Sequence, residues 1–90
     1  MSVSIEMSSF FGLYTNNVLD TTVEGKTVRE VLQSLVTQFP KLKRLILDKD
    51  GNLVRTYDYF INGQSVFPKK MDQSLKDGDK LNLLYVIHGG

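Results

Sequence analysis

The residues with most chemical promise are the last ones, Ile87-His88-Gly89-Gly90. A carboxylate at Gly90, behind a second glycine without a Cβ, can enter a narrow channel that any larger side chain would block. Delivered to ATP in the active site of another protein, it would become an acyl adenylate, from which a sulfur or nitrogen nucleophile displaces AMP. Two glycines make poor strand and worse helix, so residues 87–90 are expected to project as a flexible tail from a body spanning 1–86. A frayed end or an expression scar also leaves terminal glycines, and residue chemistry alone keeps these readings open. His88 reads as an exposed recognition residue rather than a proton carrier, because nothing near it in sequence would orient the ring.

The remainder of the chain offers no competing chemistry. It has one histidine and no cysteine, which excludes a disulfide scaffold, a thiolate metal site, a persulfide relay and a cysteine nucleophile. No phosphate-cradling glycine loop and no metal-ligand spacing occurs. Asp48, Asp50, Asp77 and Asp79 lie beside or near Gly or Asn and read as turn formers. No catalytic residue, bound cofactor or metal is therefore expected within the fold, and the chain is not expected to be an enzyme in its own right.

A net charge of +1 writes no attraction to nucleic acid or anionic lipid into the sequence. Lys41, Lys43 and Arg44, with Lys69 and Lys70, read as a solvated face. Met1 to Met7 lacks a basic segment followed by an apolar run, so neither a leader nor a membrane span is expected, and the location expected is cytoplasmic.

Ninety residues can build one modest core, burying about 60–65% of the surface of the unfolded chain. Val3, Ile5 and Met7 alternate with polar residues, the period of a half-buried strand. Phe10 to Asn17 breaks that period. Its aromatics Phe10, Phe11 and Tyr14 are expected to pack or close a loop. Val18 to Val23 reads as a second, antiparallel strand. Thr27 and Glu30 form a capping box before Val28, Val31, Leu32, Leu35, Val36 and Phe39, which recur at helical spacing until Pro40 stops the helix. Leu42 to Leu47 reads as a short turn and a brief strand. Tyr57 to Ile61 and Gln64 to Phe67 read as a hairpin joined by Asn62-Gly63, and Lys80 to about Val86 as the last strand. The order hairpin, helix, strands predicts an α+β fold, a mixed four- to five-stranded sheet on one main helix.

At this point the sequence resembles the ThiS/MoaD-like sulfur carriers, ubiquitin relatives with the β-grasp fold. The resemblance rests on ordered pieces. They are Thr27-Val28-Arg29-Glu30-Val31-Leu32 with Phe39-Pro40, Phe60-Ile61-Asn62-Gly63-Gln64-Ser65-Val66, Leu75-Lys76-Asp77-Gly78-Asp79-Lys80-Leu81, and Gly89-Gly90. It implies a carrier cycle in which a ubiquitin-activating-type enzyme uses ATP to adenylate the Gly90 carboxylate. Sulfur from a persulfide donor then gives a C-terminal thiocarboxylate. That group would serve synthesis of molybdopterin, cysteine or another cofactor, or thiolation of transfer RNA. Gly89, His88 and Ile87 would thread into the activating enzyme.

The stretch Leu84-Tyr85-Val86-Ile87-His88 departs from molybdopterin-synthase small subunits, which carry proline and small residues there. The His-Gly-Gly ending is similar to that of the ubiquitin-related modifier, which also conjugates to proteins. The alternatives are therefore a protein modifier, joined through Gly90 to a target lysine, and a non-reactive interaction module. Phe60, Leu84 and Val86 fall on one face of their strands and Tyr59, Ile61, Leu83 and Tyr85 on the other, so both faces are apolar. One helix can cover only one of them, and Phe60, Leu84 and Val86 are the expected docking surface for a partner beside the tail.

Overall fold

The computed structural model describes residues 1–66 and 68–85. Strand β1 (Ser2–Met7) is followed by a 3₁₀ turn (Ser9–Tyr14), β2 (Asp20–Glu24), helix α1 (Val28–Gln38), a second 3₁₀ turn (Pro40–Leu42), the one-turn helix α2 (Lys43–Ile46), β3 (Tyr57–Ile61), β4 (Gln64–Ser65) and β5 (Lys80–Tyr85). The sheet order is β2-β1-β5-β3-β4. β1 lies parallel to β5, and the β1–β2, β3–β5 and β3–β4 pairs are antiparallel. This mixed five-stranded sheet against one main helix is the β-grasp arrangement expected from the sequence.

The alternation in β1 does what its period requires. Val3, Ile5 and Met7 are buried, beside Leu81 and Leu83 of β5. From the helix, Val28, Val31, Leu32, Leu35 and Val36 fill the same core.

The orphan donors of the first three helical residues find acceptors outside the helix ladder. Glu30 N–H donates to Thr27 Oγ1 at 3.1 Å, Val28 N–H to Gln73 O at 3.0 Å, and Arg29 N–H to Met71 O at 2.7 Å. The Glu30 carboxylate accepts from Lys26 N–H at 3.0 Å, one residue before the reciprocal partner a capping box implies. The segment 71–73 is thereby fastened to the start of α1.

Three sequence expectations are corrected. The brief strand expected within Leu42 to Leu47 is helical, because Leu42, Leu45 and Ile46 recur at three and four residues and Pro40 is well placed to start a new turn. Leu47 makes only an isolated bridge to Leu53. The second strand begins at Asp20 rather than Val18. Buried Thr15 donates its hydroxyl to Val18 O at 2.6 Å, holding Val18 in the turn, where its side chain is 39% exposed. The return strand β4 is shorter than expected, ending at Ser65; Phe67 lies outside the described residues.

The turn readings hold. Asn62 and Gly63 have φ of 52° and 78°, the left-handed pair of a tight hairpin. Asp48 accepts from Asp50 N–H and Asn52 N–H, and Asp79 accepts from Lys76 N–H and the Asn62 side-chain amide. Those carboxylates build turns. Among the described residues no helix is long and apolar enough to cross a membrane.

Candidate functional site

The strand that leads into the diglycine is the middle strand of the sheet. β5 pairs with β1 on one side, from Ser4↔Lys80 to Met7↔Leu83, and with β3 on the other, from Ile61↔Leu81 to Tyr57↔Tyr85. Its last residues are fastened beyond the ladder as well. Ser8 N–H donates to Leu83 O at 3.1 Å, and Tyr85 N–H donates to Ser8 Oγ at 3.3 Å. The chain past Tyr85 therefore starts from a point held on both flanks. Val86, Ile87, His88, Gly89 and Gly90, and with them the expected boundary between body and tail, lie outside the described residues.

An aromatic cluster surrounds that point. The rings of Phe10 and Tyr85 are 4.3 Å apart, Tyr57 and Tyr85 5.9 Å, and Phe11 and Tyr57 5.5 Å. Phe10, Phe11 and Tyr14 thus pack as expected, but their position at the end of β5 had no signal in the local sequence. It arises because parallel pairing brings the residues after β1 beside the end of β5. Such ring pairs each contribute about 0.5–1.5 kcal/mol beyond the area they bury. Burial, then the neighbouring Tyr14 and Tyr85, push the Tyr57 phenol above its ordinary pKa, so it is neutral at physiological pH. Tyr85 stays 37% exposed and forms the outer edge of the cluster.

Of the expected docking surface, Phe60 and Leu84 lie on the sheet face away from α1, where Phe60 pairs with Asn82 and Leu84 with Asp58. Both are half-buried, and neither packs against the main core. Val86 is outside the described residues. The face is less apolar than the strand alternation suggested, since Asn82, Asp58, Lys80 and Glu6 share it. Lys80 pairs with Glu6 at 3.2 Å, and the Asn82 amide donates to the same carboxylate at 3.3 Å. The apolar part is a small patch between β3 and β5.

The basic residues divide differently from their sequence grouping. Lys69 and Lys70 line an open groove with Arg29 and Arg55, whereas Lys41, Lys43 and Arg44 do not contribute to it. Arg29 holds the 48–52 turn there, donating to Gly51 O at 3.2 Å and Asn52 Oδ1 at 3.0 Å. Among the described residues no group of His, Asp or Glu is arranged to hold a metal ion.

Known proteins bear on the same features. The model of the ThiS family matches residues 13–90, a span that includes Gly89-Gly90. Comparison with curated protein sequences returns no match. Among solved structures, a chain of the Amycolatopsis orientalis BexX/CysO complex superposes with a TM-score of 0.84 at 22% identity, covering 98% of this chain and 99% of its own. The small archaeal modifier protein 1 of Methanosarcina acetivorans gives 0.84 at 24% identity, with 99% and 96% covered. Urm1 of Trypanosoma brucei gives 0.74 at 21% identity, with 99% and 95% covered. At such identities these likenesses establish the ubiquitin-like fold, and the family match adds the lineage: the chain belongs to the ThiS family of β-grasp sulfur carriers.

Proposed function

We propose that this protein carries sulfur on its C-terminal carbon, as a co-substrate of enzymes rather than as a catalyst. The observation that supports this reading is the family match, whose span of residues 13–90 includes Gly89-Gly90. In the proposed cycle a Gly90 carboxylate oxygen attacks the α-phosphorus of ATP in an adenylating partner, and pyrophosphate leaves. A sulfur nucleophile from a persulfide donor then attacks the acyl carbon, and AMP departs. A second thiol, outside this cysteine-free chain, then attacks the donor-side sulfur of the acyl disulfide. A disulfide forms between that thiol and the donor, and the thiocarboxylate leaves for the sulfur-accepting enzyme.

The fold's part is presentation. Five residues follow Tyr85 and span at most about 18 Å when extended, so the partner's adenylation centre must lie within that reach of the aromatic cluster. Gly89 lets the end pass a constriction, and Ile87 and His88 meet the channel walls. Phe60 and Leu84, with Val86, form the surface on which the body rests. ATP is used by the partner and is not held by this chain, and the working location is the cytoplasm.

An adenylating partner should catalyse exchange of labelled pyrophosphate into ATP when given the full chain. A chain lacking Gly89 and Gly90 should support none, and equal exchange with both chains would overturn the proposal. A second reading, conjugation of Gly90 to lysines of other proteins, is favoured by the His-Gly-Gly ending and by the likeness to a protein named as an archaeal modifier. It shares the adenylate, and glycine-glycine remnants on digested lysines distinguish it.

A further inference from the structure

The sheet is incompletely paired at its β3 edge. β4 meets β3 only at Phe60↔Ser65 and Ile61↔Gln64, which leaves Tyr57 to Tyr59 without a strand neighbour on that side among the described residues. The backbone groups of Tyr59 face this open side. Asn62 N–H donates to Lys80 O, so the even-numbered residues of this stretch turn their backbone toward β5. Leu83, the partner of Tyr59, turns its carbonyl the other way, to Ser8 N–H.

Side chains occupy the place of the missing strand. Tyr59 N–H donates to Asp58 Oδ1 at 2.7 Å, Tyr59 O accepts from Lys69 Nζ, and Lys69 and Asp58 form an ion pair at 3.0 Å. A charged pair over an open edge satisfies its polar groups and discourages unselected pairing. Both partners are only about a third exposed, yet the Lys69 ammonium can leave for another carboxylate without breaking the core.

This edge forms one wall of the groove of about 810 Å³. Arg29, Arg55, Lys69 and Lys70 line it against Asp58 and Asp72, an excess of two positive charges in a chain whose whole excess is one. Arg55 and Lys70 have no ion-pair partner among the described residues. Leu53 and Met71 supply apolar lining. The Tyr59 hydroxyl donates to Lys70 O at 3.2 Å and fixes the outer wall.

We infer that this groove is a strand-addition site for an extended, acidic segment of a partner protein. The segment lies beside Tyr57–Tyr59, its backbone replacing Lys69 and Asp58 at Tyr59 O and N–H. Alternate side chains rest on Leu53 and Met71, and carboxylates pair with Arg55, Lys69 and Lys70. A second copy of this chain is the poorer occupant, because pairing two β3 edges brings two positive grooves together. The site is separate from the tail and borders the Phe60–Leu84 face at Asp58 and Lys69, whose ammonium lies 5.7 Å from the Phe60 ring. It needs no reactive C-terminus, so it stands whether or not the sulfur-carrier proposal does.

The test titrates the isotopically labelled full chain with a blocked peptide of alternating Val and Glu, alongside a Val and Lys peptide of the same length. The Val and Glu peptide should shift the amides of Tyr57–Tyr59 and Lys69–Asp72 and slow hydrogen exchange at Tyr59. Arg55→Glu, an exposed change, should weaken binding roughly fivefold or more and leave distant amides unmoved. N-methylation of alternate peptide amides should abolish the slowed exchange, because a methylated nitrogen cannot donate to Tyr59 O. Overturning results are an absence of shifts, equal binding of the Lys peptide, insensitivity to N-methylation, or shifts confined to Phe60 and Leu84. Concentration-dependent dimerisation through the same amides would assign the edge to a second copy and also overturn the inference.

Discussion

Leu83 and Leu84 are neighbours on β5 and should answer truncation in opposite ways. Leu83 is 0% exposed and lies between Met7 and Tyr59, whereas Leu84 is half-buried on the far face opposite Asp58. Leu83→Ala removes buried carbon and leaves a cavity, at about 2–5 kcal/mol. A chain of this length has a total stability of roughly 5–13 kcal/mol. Between about a sixth and all of it would be lost, and Tm should fall by at least about 8 °C. Leu84→Ala removes area that is already partly wet, so its cost should stay below about 1 kcal/mol. Its effect should fall on the adenylating partner instead, with affinity weakened roughly fivefold, or about 1 kcal/mol. Urea unfolding gives both stability differences, and calorimetric titration with the partner gives the affinities. Comparable destabilisation by the two substitutions would refute the assignment of faces. Unchanged affinity for Leu84→Ala would refute the docking surface while leaving the fold intact.

Other expectations follow from single contacts. Thr27→Ala should lower stability by about 1 kcal/mol in denaturant unfolding by orphaning Glu30 N–H, and Thr27→Ser should restore most of it. Gly25→Ala should cost on the order of 1–3 kcal/mol by thermal unfolding, because a Cβ there would lie 2.8 Å from both Val31 N and Val31 Cγ2. The Lys76 N–H, then the Asn62 amide, hold the Asp79 carboxyl below its ordinary value of 3.8. The folded state therefore binds this proton less readily than the unfolded chain. The stabilisation is fully present above pH 4 and is lost as pH falls through the folded value. Asp79→Asn should lower Tm at neutral pH and flatten the acid limb of the stability curve.

The sequence carried the elements whose signals are local and periodic. The β1 alternation, the Thr27 cap with its helical stripe, and the Asn62-Gly63 turn each specify themselves within a few residues. The segment after Pro40 misled because a short apolar run has no length to separate helix from strand, although Leu42 and Ile46 four apart already carried the helical period. Val18 misled because Thr15, three residues earlier, competes for its carbonyl. The basic groove was invisible for a different reason. Arg29, Arg55 and Lys70 are far apart in sequence, and they meet only because segment 71–73 is fastened to the first turn of α1. The aromatic cluster at the end of β5 likewise needs the parallel β1–β5 pairing. The diglycine was visible at once in the sequence, but it lies outside the described residues, and its chemistry stands as the proposal above.

Sulfur on the terminal carbon is the central claim, and intact-mass spectrometry tests it most directly. The full chain is incubated with its adenylating partner, ATP and a persulfide donor, then fragmented. The account predicts a mass gain equal to one oxygen replaced by one sulfur, carried by the fragment that contains Gly90. An unchanged mass with a partner proven active, or a sulfur found elsewhere on the chain, would contradict it.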